Sequence, residues 1–167
     1  PCLLRLCGLS NRNETCDIIW KVNMERTLAL VKPDGVQRGL IGEVISRLEH
    51  RGLKLAAMKL MRLDQATAQE HYGEHVDRPF FSGLVEFITS GPLVAMVWEA
   101  DEAVEIVRNT MGATDPKNSP MGSIRGDLGV NIGRNLGLGS DSVESAVREV
   151  ALFFQPGEIL DLSLIPL

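Results

Sequence analysis

Pro92-Leu93-Val94-Ala95-Met96-Val97-Trp98 is apolar at nearly every position, the pattern of a strand buried on both faces rather than one alternating between core and water. Outward from it, toward the N-terminus, Phe80 to Thr89 places Phe80, Leu84 and Phe87 at helical spacing, and Asp64 caps a short helix through Tyr72. Leu53 to Met61 reads as a second strand. Leu40 to Arg51 aligns Ile41, Val44, Ile45 and Leu48 on one helical stripe, with Gly52 placed as its stop. Thr27 to Lys32 is a short run of strand formers ended by a turn signal, Pro33-Asp34-Gly35. Toward the C-terminus, Asp101 to Met111 is an amphipathic helix, and the glycine-rich stretch from Gly112 to Gly139 shows little periodicity. A loop of that length inside a compact domain is usually functional. Asp141 or Ser142 caps a last helix whose apolar face is Val143, Ala146, Val147 and Val150. Gln155 to Leu167 is apolar and short, expected to pack along the domain or a neighbouring subunit. Strands separated by helices imply an α/β or α+β sandwich, a sheet with helices laid over one face.

The 167 residues, 44% hydrophobic and 23% charged, describe one globular domain and exclude disorder. With 17 basic against 22 acidic residues the net charge is -5, which disfavours binding to nucleic acid or to anionic membranes through overall charge. An anion site must therefore be local. Cys2, Cys7 and Cys16 are the only cysteines, so from Asp17 onward there is neither a disulfide framework nor a thiolate metal site. That distribution fits a reducing, cytoplasmic setting. Residues 1 to 23 show no sustained period, and we read them as a disordered leader or upstream read-through, with 24–167 as the domain. Arg5 interrupts the only apolar run a secretory signal could use, and Glu14 and Asp17 argue against a transit peptide. No run approaches a membrane span.

No Gly-Lys-Ser/Thr phosphate loop occurs, and Gly137-Leu138-Gly139-Ser140-Asp141-Ser142 lacks the third glycine of a dinucleotide fingerprint. His71 and His75 are spaced four apart without a third ligand, which reads as plain helix surface. More informative are Lys32 at a strand end, Arg108 on a helix, and Thr114, Arg125, Arg134 and Asn135 along the glycine-rich stretch. Cations there could build a phosphate site, because guanidinium forks match phosphate oxygens and glycine lets backbone N–H groups approach. Spacing alone leaves open that each arginine pairs with a surface carboxylate.

Lys32-Pro33-Asp34-Gly35-Val36-Gln37-Arg38-Gly39, His71-Tyr72, Arg78-Pro79-Phe80-Phe81, Ser90-Gly91-Pro92, Ile124-Arg125-Gly126-Asp127, Gly133-Arg134-Asn135 and Gly139-Ser140-Asp141-Ser142-Val143-Glu144-Ser145-Ala146 resemble, in order, the signature segments of the nucleoside diphosphate kinase family. The resemblance runs from Met24 to about Asp161. It implies an α+β ferredoxin-like βαββαβ sandwich, a four-stranded antiparallel sheet covered by helices, assembled as a homo-oligomer, either hexamer or tetramer. It also implies that Lys32, Arg108, Thr114, Arg125 and Asn135 hold the phosphates of nucleoside di- and triphosphates. The base would stack on Phe80, with Leu84 and Ile132 lining the slot, and Lys32 and Asn135 would reach the ribose hydroxyl. Tyr72 and Glu149 would position a catalytic histidine. Mg2+ would be held through the nucleotide's phosphates, with Asp141 close to it.

At one point the sequence departs from the pattern. The family signature has Asn, two apolar residues and then the histidine that carries the phosphoryl group in a ping-pong transfer. Here the stretch is Asn135-Leu136-Gly137-Leu138-Gly139-Ser140-Asp141-Ser142, so the catalytic position is Leu138, and Gly137 stands where an apolar residue is usual. Leucine has no lone pair to accept a phosphoryl group. Losing such a nucleophile costs on the order of 10⁴ to 10⁶ in rate. None of the remaining histidines matches this position, and Ser140 as a substitute lacks an adjacent base in the sequence. The expectation is a family member that binds NDP and NTP with Mg2+ and whose γ-phosphate transfer is lost or strongly impaired. The alternatives are an active phosphotransferase using a residual or substitute route, and a non-catalytic subunit of a mixed oligomer.

Overall fold

Residues 24–162 are described by the computed structural model. The leader assigned to residues 1–23 and the chain end at 163–167 lie outside the described residues. β1 (Glu25–Val31), β2 (Lys54–Arg62), β3 (Pro92–Ala100) and β4 (Gly137–Gly139) form one sheet in the order β2-β3-β1-β4. Every pairing is antiparallel. The helices are α1 (Pro33–Gln37), α2 (Ile41–His50), α3 (Gln65–His71), α4 (Phe81–Thr89), α5 (Ala103–Met111), α6 (Ile124–Leu128) and α7 (Val143–Phe153). This is the α+β ferredoxin-like arrangement, with α3 and α4 interposed between β2 and β3.

The two central strands explain why the sheet needs cover on both sides. Leu28 and Leu30 of β1 lie opposite Val97 and Ala95 of β3 and share a core with Ala68, Tyr72, Val85, Ile88, Val150 and Phe153 of α3, α4 and α7 and the chain beside them. The intervening Ala29 and Val31 face Met96 and Val94 and join Trp98, Val44, Leu48, Val107, Met111 and Ile124 beneath α2, α5 and α6. Helices therefore cover both faces, not one. The unbroken apolar run of β3 already demanded this, since a strand without alternation has no face to give to water.

Local signals account for most boundaries. Asp64 accepts from Thr67 N at 3.0 Å and Ser142 from Ser145 N at 3.1 Å, the expected N-caps. Gly52 ends α2 at a φ of 85°, a conformation that costs a residue with a Cβ. Pro33-Asp34-Gly35 is not a free turn but the first part of α1, with proline in the opening turn where its missing N–H costs nothing. The stretch from Gly112 to Gly139 is not all loop either, since it holds α6 and β4. On α4 the core side chains are Val85 and Ile88, while Phe80 precedes the helix. On α7 Val143 and Val147 are exposed, and Ala146, Glu149, Val150 and Phe153 face inward. The chain after α7 packs along its own domain: Leu160 N donates to Ala56 O at 3.0 Å, at the bulge of edge strand β2.

Candidate functional site

β4 is three residues long, and each has a different neighbour. Leu138 lies opposite Leu30 and packs against the core shared by Tyr72, Val150 and Phe153. Gly137 and Gly139 face the other way, under α5. A Cβ on Gly137 would come within 2.7 Å of Leu30 O and 3.2 Å of Met111 Cε, and one on Gly139 within 2.7 Å of Val107 Cγ1. Both positions admit only glycine as the structure stands. The preceding Leu136 is fully buried at a φ of 70°, strained for a residue with a Cβ. It is held there from both sides: Lys32 N donates to Leu136 O at 2.8 Å, and Leu136 N donates to Asp34 Oδ2 at 3.1 Å.

That clamp brings the end of β1 against the loop before β4. Lys32, 7% exposed, donates from Nζ to Asn135 Oδ1 at 3.0 Å. Asn135 in turn donates from Nδ2 to Thr114 O at 2.9 Å. Arg125 enters from α6 and donates to three carbonyls, those of Gly112, Gly137 and Asn135, at 2.7, 2.7 and 3.3 Å. It pairs with backbone, not with a surface carboxylate. Burial, then the Arg125 guanidinium, draw the Lys32 ammonium down to about 8 against an opposing pull from Asp34. Burial and nearby Arg108 likewise lower Arg125 to about 10. Asp34 offsets this crowding of cations only in part, and a further anion would relieve it. Arg108 and Thr114 are exposed at the same end.

At Ser140 and Glu149 the polar groups turn toward one another. Ser140 Oγ accepts from Leu28 N at 3.3 Å and donates to Glu149 Oε2 at 2.6 Å. Burial raises the Glu149 carboxyl above its usual range, only partly opposed by the Ser140 hydroxyl. His71 is not helix surface. Its side chain is 1% exposed, edge-on to the rings of Tyr72 and Phe153, and its Nδ1 stands 3.6 Å from Glu149 Oε1, beyond hydrogen-bond reach. Neither imidazole nitrogen has a partner. Burial, then Lys32 and the nearby Arg148 and His75, lower this histidine to about 4, so it is neutral near pH 7. Burial also pushes the Tyr72 hydroxyl well above its usual range.

Phe80 is 55% and Ile132 64% exposed, as open walls of a slot would be, while Leu84 packs against the core. Phe80 meets His75 at 5.8 Å between ring centroids. Asp141, exposed, is kept below the usual carboxylate range first by the Ser145 hydroxyl and then by smaller contributions that include Arg108. Among the described residues, no three His, Cys, Asp or Glu side chains converge on a point where a metal could sit.

Sequence reasoning overlooked three residues here: Asp34, which pins Leu136; Ser140, as an anchor; and His71, as a buried group. Only Asp34 carried a local signal, an acid in the first turn of a proline-led helix. The other two are assigned by packing.

Comparison with known proteins places these features in context. The family model described as nucleoside diphosphate kinase matches residues 25–159. The nucleoside diphosphate kinase of Gloeobacter violaceus is 59% identical over 138 residues, 83% of this chain and 93% of that protein. That of Haloarcula marismortui is 57% identical over 139 residues, covering 82% and 90%. Among solved structures, a halophilic nucleoside diphosphate kinase from Halobacterium salinarum in complex with CDP superposes with a TM-score of 0.80 at 55% identity, covering 82% of this chain and 91% of that one. A family protein from Babesia bovis gives 0.80 at 49% identity, covering 82% and 93%.

Proposed function

The chain belongs to the nucleoside diphosphate kinase family, and we propose that it binds nucleoside di- and triphosphates with Mg2+ while the phosphohistidine route is closed at Leu138. The observation that carries this reading is a contrast at β4. Lys32, Asn135, Arg125 and the Thr114 carbonyl are linked in one hydrogen-bond network. The strand itself presents an aliphatic side chain, Leu138, that packs against the core. Lys32, Arg108 and Arg125 would meet the phosphates, with each charge-assisted hydrogen bond worth about 1.5–3 kcal/mol. Exposed Phe80 and Ile132, with Leu84 behind, would sandwich the base, a mode that tolerates any base because every base has a π-face. Mg2+ fits as the nucleotide's own counter-ion, neutralising phosphate charge, with ionised Asp141 beside it. Tyr72 and Glu149 would orient a side chain at position 138, and leucine offers them no hydrogen-bonding group.

A homo-oligomer, hexamer or tetramer, fits the exposed Met58 and Leu60 on edge strand β2, and a cytoplasmic setting fits the cysteine distribution. No described helix is long and apolar enough to cross a membrane.

One observation favours a second reading. Ser140 does have a base, Glu149 at 2.6 Å, which could activate its hydroxyl as a substitute nucleophile. Against it, Ser140 is only 1% exposed and its oxygen is tied to the Leu28 N–H. The test is paired. Calorimetric titration with Mg-ADP should show binding below millimolar, and incubation with γ-labelled ATP should leave no acid-labile phosphoprotein and no labelled GTP. Absence of binding overturns the proposal. Acid-stable label on Ser140 supports the second reading.

A further inference from the structure

Lys32 has a property that holding phosphate does not require. Its Nζ is buried and donates to the neutral side-chain carbonyl of Asn135, while Asp34, whose charge favours the Lys32 proton, makes its hydrogen bond to Leu136 N and none to Nζ. Lys59, by contrast, is locked to both oxygens of Glu158. The Lys32 amine is drawn down to about 8 by burial and by Arg125, so a substantial share carries a free lone pair near neutral pH. The same guanidinium that disfavours its proton attracts an anionic reagent to the spot.

Resting on the nucleotide-binding reading, we propose that Lys32 is a selective acylation site for acyl phosphates, the mixed anhydrides of a carboxylic and a phosphoric acid. The phosphate end of the reagent lies in the cradle of Arg125, Arg108 and Asn135, which brings the acyl carbon to the amine. The Nζ lone pair attacks the carbonyl carbon, a C–N bond forms and the C–O bond to phosphorus breaks. The phosphate departs with the bonding pair, and the nitrogen gives its extra proton to solvent. The product is a neutral amide, so acylation removes a phosphate-binding cation and closes the site to nucleotide. An acyl donor without phosphate has nothing to hold it at an amine only 7% exposed.

The experiment treats the full-length protein with acetyl phosphate at pH 7.5 and maps acetylated peptides by mass spectrometry, with Lys54 and Lys117 as internal references. At that pH the neutral fraction of an amine near 8 exceeds that of an ordinary lysine by roughly 200-fold, and lower basicity gives back about a factor of ten, so Lys32 should acetylate at least about tenfold faster than either reference. Its rate should climb with pH and level off above about 8. With a simple thioester lacking phosphate the preference should fall several-fold. Lys32 reacting no faster than Lys54 and Lys117, or showing the same preference for the thioester, overturns the proposal. A parallel arm with saturating Mg-ADP separates it from the nucleotide reading. Labelling of Lys32 that Mg-ADP does not slow sinks nucleotide binding at this site but not acylation. Binding of Mg-ADP with Lys32 left unlabelled sinks acylation alone.

Discussion

Two polar clusters meet near the three-residue strand β4, and they differ in what their groups have left to bind. In the cradle, Lys32, Asn135, the Thr114 carbonyl and Arg125 form a connected network in which Asp34 only partly offsets the crowding of cations. In the cluster behind Leu138, the polar atoms are satisfied by one another, as Ser140 and Glu149 are, or stranded, as both nitrogens of His71 are. The first arrangement calls for an anion from outside. The second shows no such surplus of charge. Binding and chemistry are thus separable here: substitutions in the cradle should move affinity, and those behind Leu138 should move stability.

The sharpest challenge to that division is Arg125, because it belongs to the cradle yet holds three backbone carbonyls. Arg125→Ala leaves those acceptors buried and unpaired, and we expect a loss of about 3–5 kcal/mol in urea unfolding together with weaker Mg-ADP binding. Arg108→Ala, at an exposed position, should weaken binding while the unfolding midpoint stays put.

Acid titration probes the other cluster. The folded state holds His71 near 4, below its ordinary 6.5, so between those values the unfolded chain binds the extra proton. The stability His71 contributes is complete above about pH 6.5 and drains away as pH falls toward 4, by up to about 3 kcal/mol. His71→Phe should flatten that slope in pH-dependent denaturation. An unchanged slope would place the acid sensitivity elsewhere.

Smaller effects test the slot. Phe80→Ala should cost about 1–3 kcal/mol in nucleotide affinity through lost stacking, with no measurable change in thermal midpoint, since the ring is more than half exposed. The ion pair of Arg148 with Glu74, exposed at both ends, should contribute at most about 1 kcal/mol by a double-mutant cycle, and none of it to affinity.

Legibility in the sequence followed the range of the interaction. α2, α5, β3 and the stop at Gly52 were readable because a period or a backbone requirement is written within a few residues. β4 was not, because a Gly-Leu-Gly strand exists only through its pairing with β1, more than a hundred residues away in sequence. The second helix layer was implied by β3 but masked on α7, where exposed Val143 and Val147 mimic a core face and buried Glu149 interrupts the real one. The candidate site residues were named through family resemblance, whereas the contacts among them were not legible. Lys32 and Asn135 meet across 103 positions, and His71 became a core residue through contacts with Phe153 that no helix period announces.

Gly137 tests how deeply the departure at position 138 is built in. A Cβ there would meet the backbone oxygen of Leu30 before it met Met111, so Gly137→Ile should not be tolerated even with a smaller residue at 111, whereas position 138 points to the opposite face and can change alone. The most direct measurement of the account is therefore γ-phosphate transfer from labelled ATP to GDP by the parent protein and by Leu138→His, side by side, at matched Mg-ADP affinity. The account predicts a parent indistinguishable from a blank and a gain of about 10⁴-fold or more in the variant, with acid-labile phosphoprotein appearing only there. A parent that already transfers at the variant's rate, or a variant that binds nucleotide and stays inert, would contradict it.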